Sequence, residues 1–295
     1  MSAGDRRSRV LLTAGQRTST GVLLAEAALR RGLAHVASTG DAGRDAAALA
    51  GRPAHWYGGP LAADRCAAAL GLALLEPHDA WAAELPREFT RRRIELTTLA
   101  EAWTATRPRF VKPPSDKQFP AAVYADGSRL PRTGDRIGPD TPVLVSEVVT
   151  FACEYRLFVL DGRVHAGSRY ARFGRLDTAP LTGERNEAAV RAFAAALLAD
   201  RGGTLPSAVV VDVGLIQDPD SGADHWAVVE ANMPWFAHAY TAGPDAVLDV
   251  VLRATGPLGS VAPADRRFLR PVPGGPPVSR APGTSAAPRC CRPGR

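Results

Sequence analysis

Two runs late in the chain, SAVVVDVGLIQD (207–218) and HWAVVEAN (225–232), are apolar and β-branched around a single carboxylate, Asp212 in the first and Glu230 in the second. Runs of this length and composition read as interior strands of a sheet. An unpaired carboxylate in such a place is unfavourable, so each acid needs a partner or a task. Both runs, VVVD and AVVE, are apolar up to the acid, which argues that the acids share one end of a sheet. Asn232 follows Glu230 by two residues, and strand residues i and i+2 face the same side. Two carboxylates and an amide oxygen are all hard donors. Together they suit magnesium held jointly with substrate phosphates.

Earlier parts of the chain read in two styles. Residues 10–75 alternate: VLLTAG is a strand, Thr18–Arg31 a helix closed by Gly32, LAHVAS and AHWYGG two more strands, and LALLEP a fourth after a helix near 62–70. Alternation of this kind implies a parallel sheet. The turn after VLLTAG lacks a GxGxxG fingerprint, so no dinucleotide site is expected there. Residues 79–106 are helical in character and divided by Pro86. Residues 109–183 then turn to β, with a hairpin whose turn is Asp161-Gly162. Glu184–Asp200 and PDAVLDVVLRAT are helices, and from about 257 the chain is Pro, Gly, Ala and Arg, which reads as disordered. The expected organisation is mixed α/β (α+β): a small α/β unit over 1–78, a larger domain over 79–256, and a disordered tail over 257–295.

The stretch FVKPPSDKQF (110–119) holds the chain's two lysines, Lys112 and Lys117; the other 34 of its 36 basic residues are arginines. Lys112 sits in an apolar strand, where a desolvated ammonium requires an anionic partner. Lys117 lies in a polar loop, and a flexible point charge there is a natural phosphate contact. A third stretch, VLVSEVVTFACEYRLFVLDG, places Glu147 in an apolar run, Glu154 seven residues later, and Arg156 on the face of Glu154. An apolar segment with exposed backbone groups can hold adenine, and a following carboxylate can hold ribose hydroxyls.

In this order (a VKP lysine, a phosphate-covering loop, the hinge VSEVV, a later glutamate, a strand aspartate, then ExN) the chain resembles the ATP-grasp superfamily of carboxylate–amine ligases over roughly residues 80–256. The resemblance implies an ATP-grasp fold, with residues 8–78 as the small domain that precedes it. It implies ATP and Mg2+ as cofactors. By it, Lys112 and Lys117 bind the nucleotide phosphates, Glu147, Val148 and Val149 form the adenine hinge, Glu154 holds ribose, and Asp212, Glu230 and Asn232 carry magnesium. The chain departs from the pattern in three places. The phosphate loop PPSDKQFPA has no glycine. Only Arg91, Arg92 and Arg93 stand where many members have an earlier lysine. No arginine precedes the strand aspartate, so Arg156 and Arg169, with Arg172 as a further choice and Lys117 from the loop, are the catalytic candidates.

The net charge of +6 resides entirely in 257–295, which holds seven arginines and one acid, leaving the body neutral. That argues against a nucleic-acid-binding body, although a basic tail could still contact acidic partners. The four cysteines form no CxxC pair, and the six histidines show no metal-ligand spacing. Cys66 and Cys153 read as buried thiols. No apolar run is long enough to span a membrane. MSAGDRRSRV lacks the apolar core of a signal peptide, so a cytoplasmic protein is expected. The leading expectation is a ligase that joins a carboxylate to an amine through an acyl phosphate, releasing ADP and phosphate. The alternative is an ATP-binding sensor or interaction module without catalysis. The acid, the amine and the oligomeric state are left open, a homodimer included.

Overall fold

The computed structural model describes residues 9–114, 118–132, 137–217 and 222–271. The first unit is built as the alternation requires. Strands β1 (Val10–Thr13), β2 (Ala34–Ala37) and β3 (Ala54–Tyr57) form a parallel sheet in the order β2-β1-β3. Helix α1 (Ser19–Arg30) starts where the Thr18 hydroxyl accepts the Gly21 N–H, a side-chain cap on a group the helix cannot satisfy itself. Helices α2 (Ala42–Leu49) and α3 (Pro60–Cys66) follow. The fourth strand, β4 (Leu72–Leu74), does not join the parallel sheet. It pairs antiparallel with β14 (Thr255–Pro257) at the far end of the chain.

Residues 79–106 depart further from expectation. Only short helices form, α4 (Arg87–Thr90) and α5 (Leu99–Ala102), and between them Ile94–Thr98 is strand β5. Three of its five residues, Ile94, Thr97 and Thr98, are β-branched and favour strand. Its ladder partner is β8 (Pro142–Ser146), some fifty residues away, which local periodicity does not reveal. With β6 (Arg109–Lys112) and β7 (Ala122–Tyr124) they make an antiparallel sheet in the order β5-β8-β6-β7.

Residues 147–150 lead from β8 into a larger antiparallel sheet, in the order β11-β10-β9-β12-β13. Its strands are β9 (Phe151–Leu160), β10 (Arg163–Arg172), β11 (Arg175–Pro180), β12 (Ala208–Gln217) and β13 (Asp224–Asn232). The β9–β10 turn is Asp161-Gly162, both with positive φ, as a tight hairpin demands. Helix α6 (Glu187–Arg201) covers one face of this sheet with Val190, Ala194 and Leu197, against Tyr155, Leu157, Val209 and Val211. The other face packs on α7 (Pro244–Ala254) and the parallel sheet, through Phe158, Ala208 and Val210. The continuous valine run is thereby explained: β12 is covered on both faces. Each fully buried valine contributes about 1.5–3 kcal/mol.

That shared core joins Leu11 and Trp56 to Val210, Trp235 and Val247, so the boundary expected at 78/79 does not separate two cores. The tail expectation also needs correction. Residues 257–271 are part of the fold: Phe268 is buried in the shared core, and Arg270 forms ion pairs with Asp64 and Glu76, both at 2.9 Å. Residues 272–295 lie outside the described residues. Cys66 and Cys153 are buried free thiols, as expected. Among the described residues no helix is long and apolar enough to cross a membrane.

Candidate active site

Asp212 and Glu230 are direct cross-strand neighbours in the β12–β13 ladder, and Arg156 is the partner of Asp212 on the other side, in β9. Residues opposite each other in a sheet share a face. The sheet therefore presents Arg156, Asp212 and Glu230 in one row, with Asn232 two residues beyond Glu230. Arg156 grips Asp212 with both arms of its guanidinium, Nε to Oδ1 at 2.9 Å and Nη2 to Oδ2 at 2.6 Å. The same Nη2 lies 3.9 Å from Glu230 Oε1. Asn232 donates its amide N–H to Glu230 Oε1 at 2.6 Å. Lys112, at the end of β6 in the smaller sheet, crosses the gap and donates to Glu230 Oε2. The anionic partner its strand position demanded is thus Glu230.

Other groups pack around this row. Glu154, two residues before Arg156, accepts from the Tyr170 hydroxyl at 2.7 Å. Tyr170 stacks on Tyr240 with ring centroids 5.2 Å apart, and the Arg156 guanidinium carbon lies 5.6 and 5.3 Å from the two ring centroids. Arg92 is buried and donates to the carbonyls of Val228 and Val229 at 2.7 and 3.1 Å, which ties the β5 side of the molecule to the strand of Glu230.

The carboxylates respond unequally. Asp212 is wholly buried, and burial, reinforced by the charges of Glu230 and Glu154, pushes it up to about 6 despite Arg156. Burial works against ionisation of Glu230 too. Lys112, Asn232 and Arg156 outweigh it and bring Glu230 down to about 2. Burial raises Glu154. Burial also pulls Arg92 down, to about 10, which leaves it charged at neutral pH. Arg156 is held above its usual range, because the attraction of Asp212 outweighs its own burial.

The structure therefore brings together Lys112, Glu154, Arg156, Asp212, Glu230 and Asn232. Arg169 does not join them. Its ladder partner is Tyr155, on the α6 face, and its guanidinium pairs with Asp177 at 2.8 Å and Glu184 at 2.6 Å. Arg172, nearly half exposed, reaches the same two acids. Glu147, Val148 and Val149 lie in the link between the two sheets, as a hinge must. The Glu147 carboxylate accepts from the Arg93 backbone N–H at 2.8 Å and from Arg87 at 3.3 Å. Lys117 lies outside the described residues. Sequence reasoning passed over Tyr170 and Tyr240 and did not choose Arg92 from the run RRR. The only signal for Arg92 was its place in that run, since its partners are backbone carbonyls of a distant strand.

Among the described residues no group of three His, Cys, Asp or Glu side chains could hold a metal ion. The set Asp212, Glu230 and Asn232 is two carboxylates plus an amide. The Asn232 N–H is spent on Glu230, which leaves its carbonyl oxygen as a third hard donor. These donors fit magnesium, and three of them leave the rest of an octahedral shell to phosphate oxygens and water.

A family model described as an ATP-grasp domain, family 2 of its clade, matches residues 89–250, more than half of the chain. The chain belongs to the ATP-grasp family. The matched span of this ATP-grasp protein contains Lys112, Glu154, Arg156, Asp212, Glu230 and Asn232. Similar solved structures include a RimK domain protein ATP-grasp from Sphaerobacter thermophilus, 20% identical, covering 83% of this chain and 99% of that one at a TM-score of 0.47. A D-alanine–D-alanine ligase from Bacillus anthracis is 13% identical, with coverages of 83% and 96% and a TM-score of 0.46. The macrocyclase MdnC from Microcystis aeruginosa, bound with its precursor peptide MdnA, is 13% identical, with coverages of 83% and 99% and a TM-score of 0.40. No curated protein matches the chain.

Proposed function

We propose that this ATP-grasp protein is an ATP- and magnesium-dependent ligase that joins a carboxylate to an amine. The observation that carries the reading is the convergence of Lys112, from one sheet, with Arg156, Asp212, Glu230 and Asn232, from the other. Phosphoryl transfer asks for positioning and charge stabilisation rather than covalent help from the protein. In the first step a substrate carboxylate oxygen attacks the γ-phosphorus and ADP leaves. In the second the amine attacks the acyl carbon, phosphate leaves, and the nitrogen loses a proton. Magnesium, when bound by Asp212, Glu230 and Asn232, would bridge phosphate oxygens and neutralise their charge.

This chain's residues divide the remaining work. Lys112 now neutralises Glu230, and the recess beside the pair, lined also by Trp81, Leu144 and Met233, holds only about 20 Å³. Nucleotide entry therefore has to part the two sheets there and hand Lys112 from Glu230 to phosphate. Arg156 stands beside Asp212 from the neighbouring strand and takes the place of the arginine missing before the aspartate. Glu147 to Val149 link the two sheets and would line the adenine, with Glu154 on the ribose.

The two-armed Arg156–Asp212 pair favours the second reading, nucleotide binding without turnover, because both oxygens of Asp212 are already engaged. ADP release with Mg-ATP, screened against acids in the presence of an amine, separates the two readings. Glu230→Gln and Asn232→Ala should weaken Mg-ATP binding while the ligand-free melting temperature changes little. Equal loss in the ligand-free protein would assign these residues to the fold and remove the basis of the proposal.

A further inference from the structure

A cleft of about 670 Å³ opens beside Arg156, Glu230 and Asn232 on the side of the parallel sheet. Its location follows from topology. The chain leaves β1 for β2 on one side and then crosses to β3 on the other, so the strand order reverses at β1. The loops after β1 and β3 diverge there, and in open α/β sheets ligands bind in such a crevice at the carboxyl ends of the strands. Residues 14–18 and Gly58-Gly59 are those loops, and both line the cleft. They approach closely: a Cβ on Gly58 would lie 2.4 Å from the Ala14 Cβ.

The lining has a definite chemistry. Arg17, in the loop after β1, and Glu26, on α1, are both exposed, and neither has a hydrogen-bond or ion-pair partner among the described residues. Between and beside them is an apolar wall. Val22 and Leu29 lie seven residues apart on one stripe of α1, and Phe236 faces the same cleft; Leu29 and Phe236 are 57% and 39% exposed. The two histidines that line the cleft add little charge at neutral pH. Burial lowers His35, and burial with Arg156 lowers His238, whose Nδ1 accepts the Tyr240 N–H. The cleft thus offers one unpaired cation, one unpaired anion and an apolar surface, and its inner end reaches the row proposed to handle phosphate.

We propose that this cleft binds an amino acid or short peptide with an apolar side chain, its carboxylate on Arg17, its ammonium on Glu26, and its side chain against Val22, Leu29 and Phe236. A pocket of about 300–1,000 Å³ takes a ligand of drug size, which fits a peptide of a few residues. The ligand's part as a reactant rests on the ligase reading; its binding does not.

The test is calorimetry on the full chain, with and without Mg-ATP, using L-leucyl-L-leucine as probe. Three analogues each remove one feature: the C-terminal amide, the N-acetyl derivative, and glycylglycine. Each should bind about tenfold more weakly than the parent, the size of one charge-assisted contact or one buried side chain. Arg17→Gln should make the peptide and its amide bind alike, and Glu26→Gln should do the same for the peptide and its N-acetyl form. Both positions are exposed, and circular dichroism checks that the variants remain folded. If the peptide does not bind at millimolar concentration while Mg-ATP does, or if all four compounds bind equally, the proposal is overturned. If the peptide binds with the expected pattern and Mg-ATP does not, the ligase reading falls and the site stands.

Discussion

Arg156 and Arg169 are two buried arginines on adjacent strands of one sheet, each paired with a buried acid, and they face opposite ways. Arg169 closes a clasp. Glu184 receives the Asn186 backbone N–H at 2.6 Å as well as Arg169, and these contacts pull its carboxyl below the usual range in spite of burial. Arg156 holds Asp212 at the same 2.6 Å, yet Asp212 is pushed up to about 6. The difference lies in the neighbours. Asp212 gets no backbone N–H and shares its face with Glu230 and Glu154, so its burial is undercompensated. A pair with every lone pair answered is a structural brace. A pair crowded by further acids is a place where a bound cation gains energy.

The largest effect expected from this contrast comes from Arg156→Ala. Removing one partner of a buried pair costs about 3–5 kcal/mol, because the remaining charge is stranded. Melting should fall accordingly, and Arg156→Lys, which keeps the charge but not the fork, should recover much of the stability without turnover. Full turnover in the lysine variant would show that the fork is not needed. Next comes Lys112→Arg. A planar guanidinium cannot deliver the same compact charge from a strand end, so nucleotide affinity should drop roughly tenfold to a hundredfold, about 1.5–3 kcal/mol. Wild-type affinity by calorimetry would reduce Lys112 to an incidental lysine. Arg169→Ala should be milder, about 1–3 kcal/mol of stability, since Glu184 keeps its backbone donor. Its ADP release should match wild type; a loss of turnover at unchanged melting would move Arg169 back among the catalytic candidates.

The smallest expected effect is in the pH dependence, where the two acids of the row act in opposite directions. Asp212 is raised on folding, so the folded state binds the extra proton and stability falls as pH rises from about 4 to about 6. Glu230 is lowered, so its contribution is present above about 4.5 and is lost as pH falls toward about 2. Melting curves against pH should show Asp212→Asn removing the first trend and Glu230→Gln the second. If neither variant changes the profile, the unequal response of the row is not what sets it apart from the Arg169 clasp.

The residues themselves were enough to place Asp212, Glu230 and Asn232 at one strand end. A valine run has one stable home, between two covered layers, and the period of a strand decides which neighbours share a face. The same logic required an anion for Lys112. What local pattern could not supply was any feature made by pairing across long separations. Ile94–Thr98 looked helical beside its neighbours and became a strand because Pro142–Ser146 lay ready to pair with it. The segment after 257 looked like tail by composition, yet residues to 271 are held by Phe268 in a distant core and by Arg270 on Asp64 and Glu76. Arg156 and Arg169 were equal candidates in the sequence, and only the register of β9 against β10 and β12 put one beside Asp212 and turned the other to the opposite face. The cleft over β1 and β3 was legible only in the order of the strands, because a crossover is a property of the sheet and leaves no mark on the residues that flank it.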